Sequence, residues 1–246
     1  MICVGRVMEV WRYPVSSIGG ERMERIETAP DGVVGDRHFA LFERDTGLPA
    51  APEKDPRWRS ALFLRCERSK EGQLRIRFPD GFCFRLDDTA LPEALTRYFG
   101  FPVAIGMYAR PDQSDEYKLP VIENRYVPSA LHILTTASLQ KLSQLGSVGQ
   151  TDRRRFRPSI LIESSETNAF LENGWIGHAL YIGNIRTTVL EATKRCGMTL
   201  IAQPGIDEDP EILRNILRHN RRNLGVYGAI DRAGPVKIGD PVYADI

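Results

Sequence analysis

With 246 residues of which 42% are hydrophobic, the chain can bury a core of its own, as one large domain or two closely joined small ones. Its 33 basic and 32 acidic side chains leave a net charge of +1, so no overall field gathers nucleic acid or an anionic membrane, and any bound anion must meet a local cluster. Cys3, Cys66, Cys83 and Cys196 are scattered, with no Cys-x-x-Cys and no His pair at zinc spacing, and no apolar run reaches the ~20 residues of a membrane helix; the expectation is a reduced, cytoplasmic protein with no membrane or nucleic-acid partner.

From the N-terminus, residues 2–15 are rich in Val, Ile, Trp and Tyr and run into Pro14, as a strand entering a turn does. Ser16, Ser17, Gly19 and Gly20 make that turn. A short strand over 22–26, a tight turn at Asp31-Gly32 and an alternating stretch over 33–47 continue the hairpin pattern. Strands are also expected over 61–66, 73–78 and 82–86, where apolar and charged residues alternate with period two. Thr89 reads as the cap of a short helix that buries Leu95, Tyr98 and Phe99 and stops at Gly100. Between Ala109 and Ser129 the periodicity lapses among Pro111, Pro120 and Pro128, which sets a division into 1–108 and 109–246.

The second half opens on the apolar strand Leu131-His132-Ile133-Leu134 and passes into a helix. Thr135 or Thr136 caps it, Leu139, Leu142 and Leu145 share one stripe, and Gly146 stops it. Such a hydroxyl-rich helix start suits a phosphate, although most caps only cap. Next, Arg155 and Arg157 lie at strand spacing and present forked donors on one face. A nucleic-acid role for this basic run is weak, because one aromatic is interleaved with it. Residues 178–183 and 185–190 read as a hairpin, and Asp209-Pro210-Glu211 starts a helix whose outer arginines, Arg214, Arg218, Arg221 and Arg222, form a solvated face or a docking surface for an acidic partner. Residues 224–230 and 234–243 read as two closing strands around a tight turn, punctuated by the glycines a small barrel uses to bend.

The hairpin delivers Thr193-Lys194-Arg195-Cys196 at its end. A cysteine preceded by two cations is biased toward thiolate, the form that attacks electrophiles or ligates a soft metal. On frequency alone, an unpaired cysteine fills a core as a small apolar residue.

Taken together, residues 133–139, Arg155-Phe156-Arg157-Pro158-Ser159, Arg195-Cys196 and Val236-Lys237-Ile238-Gly239-Asp240-Pro241-Val242 resemble the MOSC-domain family, named after the C-terminal domain of molybdenum cofactor sulfurase. Arg12-Tyr13-Pro14-Val15-Ser16-Ser17 and Gly35-Asp36-Arg37-His38-Phe39 resemble that family's N-terminal β-barrel domain. Longer members of the family carry lysine where this chain has Ser16 and asparagine where it has Ser159. The resemblance implies a mainly β, α+β fold with a few helices: an antiparallel β-barrel-like domain over 1–108 packed against a β-barrel MOSC domain over 109–246. It implies a molybdenum cofactor (molybdopterin), with the metal on the Cys196 thiolate. The cofactor phosphate is expected at Arg37, Thr135, Thr136, Ser138 and Arg157, with Arg155 and Arg195 as further cofactor-binding cations. Ser16, Ser17, Ser159, Thr193, Lys194 and Tyr227 are expected to line the pterin or metal pocket, and Asp36 or His38 to supply the proton.

The implied activity is reduction of small N-hydroxylated or N-oxygenated compounds. The chain has no ferredoxin-type cysteine set and no Gly-x-Gly-x-x-Gly motif, so electrons are expected from a separate donor protein, of ferredoxin or cytochrome type with its reductase. Two alternatives keep the same residues: a persulfide carrier acting through Cys196, and a non-catalytic carrier of the cofactor. A hydrolase pairing Cys196 with His38 or His219 has no nucleophile elbow to support it, and a pyridoxal phosphate cofactor is not expected.

Overall fold

The computed structural model describes residues 1–109, 117–123, 129–146, 151–164, 166 and 168–246, so the readings placed on Pro111 and Pro128 lie outside the described residues. The fold is mainly β with a few helices. By contacts the chain divides into two compact units, one of Met1–Arg12, Arg22–Val34 and Ser129–Ile246, the other of Tyr13–Glu21 and Gly35–Pro128.

The first unit is built on a seven-stranded closed barrel. Around the ring run Ile160–Ser164, Leu131–Thr135, Asn223–Arg232, Ile185–Lys194, Ala179–Ile182, Pro241–Ala244 and Ile2–Arg12, which pairs again with Ile160–Ser164. All neighbours are antiparallel except Leu131–Thr135 and Ile160–Ser164, which run parallel and are joined through the Thr136–Leu145 helix, as parallel strands need a crossover. Val4, Val7 and Val10 face the core at spacings of three rather than two. Register shifts between Cys3 and Gly5 and between Val7 and Glu9 absorb the extra residues, and such bulges bend a strand around a barrel. At the first of them Gly5 has φ 149°, and a Cβ there would stand 2.1 Å from the carbonyl oxygen of Glu163, so only glycine allows the strands to close.

The hairpin expected over 178–190 is present as Ala179–Ile182 against Ile185–Lys194. The closing strands differ from expectation. Pro235–Lys237 pairs with Arg25–Ala29, and Pro241–Ala244 pairs with Ala179–Ile182 and Ile2–Arg12, so neither pairs with Asn223–Arg232. The turn at Gly234 thus hands the chain to other partners instead of folding it back.

The second unit holds a mixed sheet, in which Phe39–Glu43 runs antiparallel to Val103–Tyr108 and parallel to Val15–Ser16, and a three-stranded meander of Arg65–Arg68, Leu74–Arg77 and Cys83–Arg85. Its core gathers Trp58, Leu64, Ile76, Leu91 and Leu95, with the Trp58 ring meeting Phe99 and Phe101 edge-on at 5.0 and 4.9 Å. The strand expected over 61–66 is replaced by a 3-10 helix over Pro56–Phe63, and extended pairing starts only at Arg65. The cause is local: the Asp55 side chain accepts from the Arg57 N–H and Pro56 pre-sets the first turn. The Leu91–Phe99 helix is likewise not capped by Thr89. Ala90 is its N-cap, the Asp88 carboxylate accepts from the Ala90 N–H, and Gly100 closes the far end in the left-handed conformation.

Candidate functional site

The Ile185–Lys194 strand leaves the barrel after Lys194, which still pairs with Asn223, and turns at Cys196 into a short 3-10 helix, Gly197–Leu200. The N–H and the hydroxyl of Thr199 both donate to the Cys196 carbonyl, at 3.2 and 3.0 Å, which fixes the turn. Strand alternation sends Thr193 and Arg195 inward and Lys194 out to solvent, and leaves Cys196 partly exposed. The sulfur therefore does not sit in a dry interior. Thr193 is 0% exposed and its hydroxyl has no hydrogen-bond partner among the described residues. Buried hydroxyls are normally paired, so this one stands out three residues before the cysteine.

Arg195 is buried and its guanidinium is engaged by the protein. It donates from Nε and Nη2 to the Leu224 carbonyl at 2.9 and 2.6 Å, from Nη1 to the Phe156 carbonyl at 3.1 Å, and from Nη2 to Nε2 of His132. A guanidinium donates only, so His132 accepts at Nε2 and is neutral, with its proton on Nδ1, which faces the Arg157 carbonyl at 3.3 Å. Gly225, at φ 78°, makes room for that ring: a Cβ there would lie 2.6 Å from His132 Nε2.

Around His132 the barrel unit gathers four of the residues singled out in the sequence. Arg157 and Arg195 touch its two ring nitrogens. Tyr227 faces it across the sheet with ring centroids 5.6 Å apart. Ser159 accepts from the His132 N–H at 3.5 Å and donates its own N–H to the His132 carbonyl at 2.9 Å. In the sequence His132 reads as one member of an apolar strand; the available signal is a polar ring inside an otherwise apolar run.

Other residues do not sit as expected. Arg155 and Arg157 are not on a strand: Arg155 closes the 3-10 turn Arg153–Arg155, and Arg157 is left-handed at φ 52°. Arg155 is 6% exposed and donates to the carbonyls of Thr199 and Ile201 at 3.2 and 3.4 Å and to that of Asp207. It therefore ties the 3-10 turn to the Cys196 loop.

The helix start is closed in the same way. Thr135 is the N-cap of Thr136–Leu145 and accepts from the Ser138 N–H at 3.2 Å. Its hydroxyl proton, and that of Ser138, go to Oε2 of Glu172 at 2.8 and 2.6 Å, while Thr136 Oγ1 accepts from the Ser164 N–H at 3.1 Å. Thr135, Ser138 and Glu172 are all 0% exposed. The acceptor facing this helix start is thus the chain's own carboxyl, and burial pushes the Glu172 carboxyl above its ordinary value of 4.5 against the pull of the two hydroxyls. Glu172 was not singled out in the sequence, because its partners lie 34 and 37 residues away.

In the other unit, Ser16 is buried and its hydroxyl has no hydrogen-bond partner among the described residues. Ser17, at φ 65°, donates to the Ala50 carbonyl at 3.1 Å. The Asp36 carboxylate accepts from the Tyr13 N–H at 2.5 Å and forms an ion pair with Arg37, whose guanidinium lies 5.3 Å from the centre of the Tyr13 ring. Both Asp36 oxygens are therefore engaged, whereas His38 is partly exposed with its ring 6.3 Å from Phe39. Among the described residues no three His, Cys, Asp or Glu side chains come together to hold a metal ion, and no helix is long and apolar enough to cross a membrane.

Family models match over most of the chain. Residues 125–243 match the MOSC domain and residues 4–99 the MOSC N-terminal beta barrel domain. The chain belongs to the MOSC-domain family. Among curated relatives of this MOSC-domain chain, it is 24% identical to mitochondrial amidoxime reducing component 2 of Bos taurus and 23% identical to that of Homo sapiens, in each case over 98% of this chain and 83% of the relative. Among solved structures, the YUAD protein from Bacillus subtilis shares the fold with a TM-score of 0.54 at 10% identity, over 98% of this chain and 95% of that one. MOSC domains are associated with molybdenum cofactor binding, and the barrel unit offers features that fit such a group: a partly exposed soft donor at Cys196 and, at Thr193, a buried hydroxyl lacking a partner among the described residues.

Proposed function

We propose that this protein binds a molybdenum–pterin cofactor through the Cys196 thiolate and reduces small N-hydroxylated or N-oxygenated compounds with electrons from a separate protein. The observation that carries the reading is the occurrence, at the end of one barrel strand, of a partly exposed Cys196 three residues after a buried Thr193 whose hydroxyl has no partner among the described residues. The names of the relatives, amidoxime reducing components, support the substrate class.

When bound, the cofactor supplies two-electron oxygen-atom chemistry: an N-hydroxyl compound, two electrons and two protons give the N–H compound and water. The chain's own part is to hold and orient. Cys196 is the metal ligand, and Thr193 offers a hydroxyl that needs a polar partner. His132 keeps the Arg195 and Arg157 segments in place from its two ring nitrogens, so the loop before the cysteine is fixed before any ligand arrives. Thr135, Ser138 and Arg155 serve the barrel itself, since their donors are already engaged.

The test is reduction of benzamidoxime to benzamidine by cofactor-loaded protein with reduced methyl viologen as donor. Wild type is expected to turn over and Cys196→Ser is not. Absence of turnover by loaded wild type, or cyanide-labile sulfur on Cys196 in molybdenum-free protein, would overturn the reading in favour of a carrier.

A further inference from the structure

The Pro210–Asn220 helix lies along the Cys196 loop. At its start the Asp209 N–H donates to the Leu200 carbonyl at 2.9 Å. Past its end, Arg195 and Arg222 are joined reciprocally: the Arg195 N–H donates to the Arg222 carbonyl at 2.9 Å, and Arg222 Nε to the Arg195 carbonyl at 2.6 Å. The outer side of this helix end is exposed at Arg214, Arg218, Arg221 and Arg222, with Leu217 58% exposed among them.

Cations in the last helical turn have an ordinary explanation, because they complement the negative end of the helix dipole. That covers Arg218. It does not cover the two arginines past the helix end. Arg221 and Arg222 are both left-handed, at φ 50° and 71°, where a helix stop usually uses a single glycine or asparagine, and each non-glycine residue held there costs about 1 kcal/mol. The helix needs one such residue to stop, and here there are two, both arginine. Within the helix the balancing carboxylate is Glu211, 2.5 Å from Arg214 and 3.9 Å from Arg218, so positive charge on this end is in excess.

We infer that the face formed by Arg218, Arg221, Arg222 and Leu217 is the docking surface for an acidic electron-carrier protein. This rests on the reading of Cys196 as the metal ligand. The excess positive charge selects and steers a partner with a carboxylate-rich surface, the exposed leucine offers an apolar anchor within the charged rim, and Arg222 bonds the residue next to Cys196.

The experiment measures binding of the full chain to three acidic carriers, a plant-type ferredoxin, a flavodoxin and a cytochrome b domain, together with anionic phospholipid vesicles. Wild type is expected to bind at least one carrier, with affinity falling about tenfold or more as salt is raised from about 20 mM to about 200 mM. Arg218→Glu/Arg221→Glu is expected to lose that binding by about tenfold or more while keeping methyl viologen-driven activity, and Lys237→Glu on another exposed stretch is expected to bind as wild type. Binding of no carrier, equal binding by wild type and the double variant, or loss confined to the vesicles would overturn the inference. Because binding is read without turnover, failure of the proposed activity is distinguished by the methyl viologen reaction alone.

Discussion

The start of the Thr136–Leu145 helix and the end of the Ile185–Lys194 strand belong to one barrel, and both carry buried hydroxyls where a ligand is expected. They are satisfied differently. At the helix start the hydroxyls of Thr135 and Ser138 converge on Oε2 of Glu172, so each of these two buried donors has an acceptor far away in sequence, while Oε1 has no hydrogen-bond partner among the described residues. At the strand end Thr193 has no such partner among the described residues, and Cys196, three residues on, is partly exposed. Hydroxyl-rich sequence looks alike in the two places. What separates a structural cluster from a candidate site is whether each buried donor already has an acceptor.

The largest expected effect on stability falls on the closed side. Glu172→Ala leaves two buried hydroxyls without their acceptor and opens a cavity, and should cost about 3 kcal/mol in urea unfolding. A cost below about 1 kcal/mol would mean that the helix start is open after all. Arg155→Lys comes next, at about 2 kcal/mol, because an ammonium cannot reproduce a fork spread over three carbonyls.

The same carboxyl gives a pH signature. Burial raises the folded-state value of Glu172 above its ordinary 4.5, so the folded protein holds this proton more tightly than the unfolded chain. Its contribution is complete below pH 4.5 and is lost as pH rises through the raised value. In Glu172→Gln, which cannot ionise, that loss is expected to vanish, changing the slope of stability against pH by up to about 1.4 kcal/mol per unit within that window. Parallel slopes for wild type and Glu172→Gln would show that Glu172 does not titrate differently in the folded state.

The smallest effect sharpens the comparison from the open side. Thr193→Val keeps the shape and removes a hydroxyl that bonds nothing among the described residues, so cofactor-free protein should be unchanged or more stable by up to about 1 kcal/mol. A clear loss of stability would show that Thr193 is as structural as Thr135.

Much of the architecture is legible in local pattern. Alternation marks the hairpin that carries Cys196, and Asp209-Pro210-Glu211 caps its helix as the residue types suggest, with Asp209 accepting from the Glu211 N–H. What local pattern does not carry is pairing at long range. Ile2–Arg12 completes the barrel by pairing with Ile160–Ser164, and nothing in either stretch names the other. Arg155 and Arg157 illustrate the remaining limit: period two suggested a shared face, but a 3-10 turn capped by Asp152 and a left-handed Arg157 redirect both side chains. Cys196 was visible from its own neighbourhood, whereas His132 and Glu172 become conspicuous only once their partners are brought to them.

Molybdenum content per chain, measured on wild type and Cys196→Ser purified from a host that makes the cofactor, bears most directly on the open end of the barrel. About one molybdenum per wild-type chain and almost none in the variant are expected, with unfolding curves that coincide once the cofactor is removed. Equal molybdenum in the two proteins would contradict Cys196 as the metal ligand.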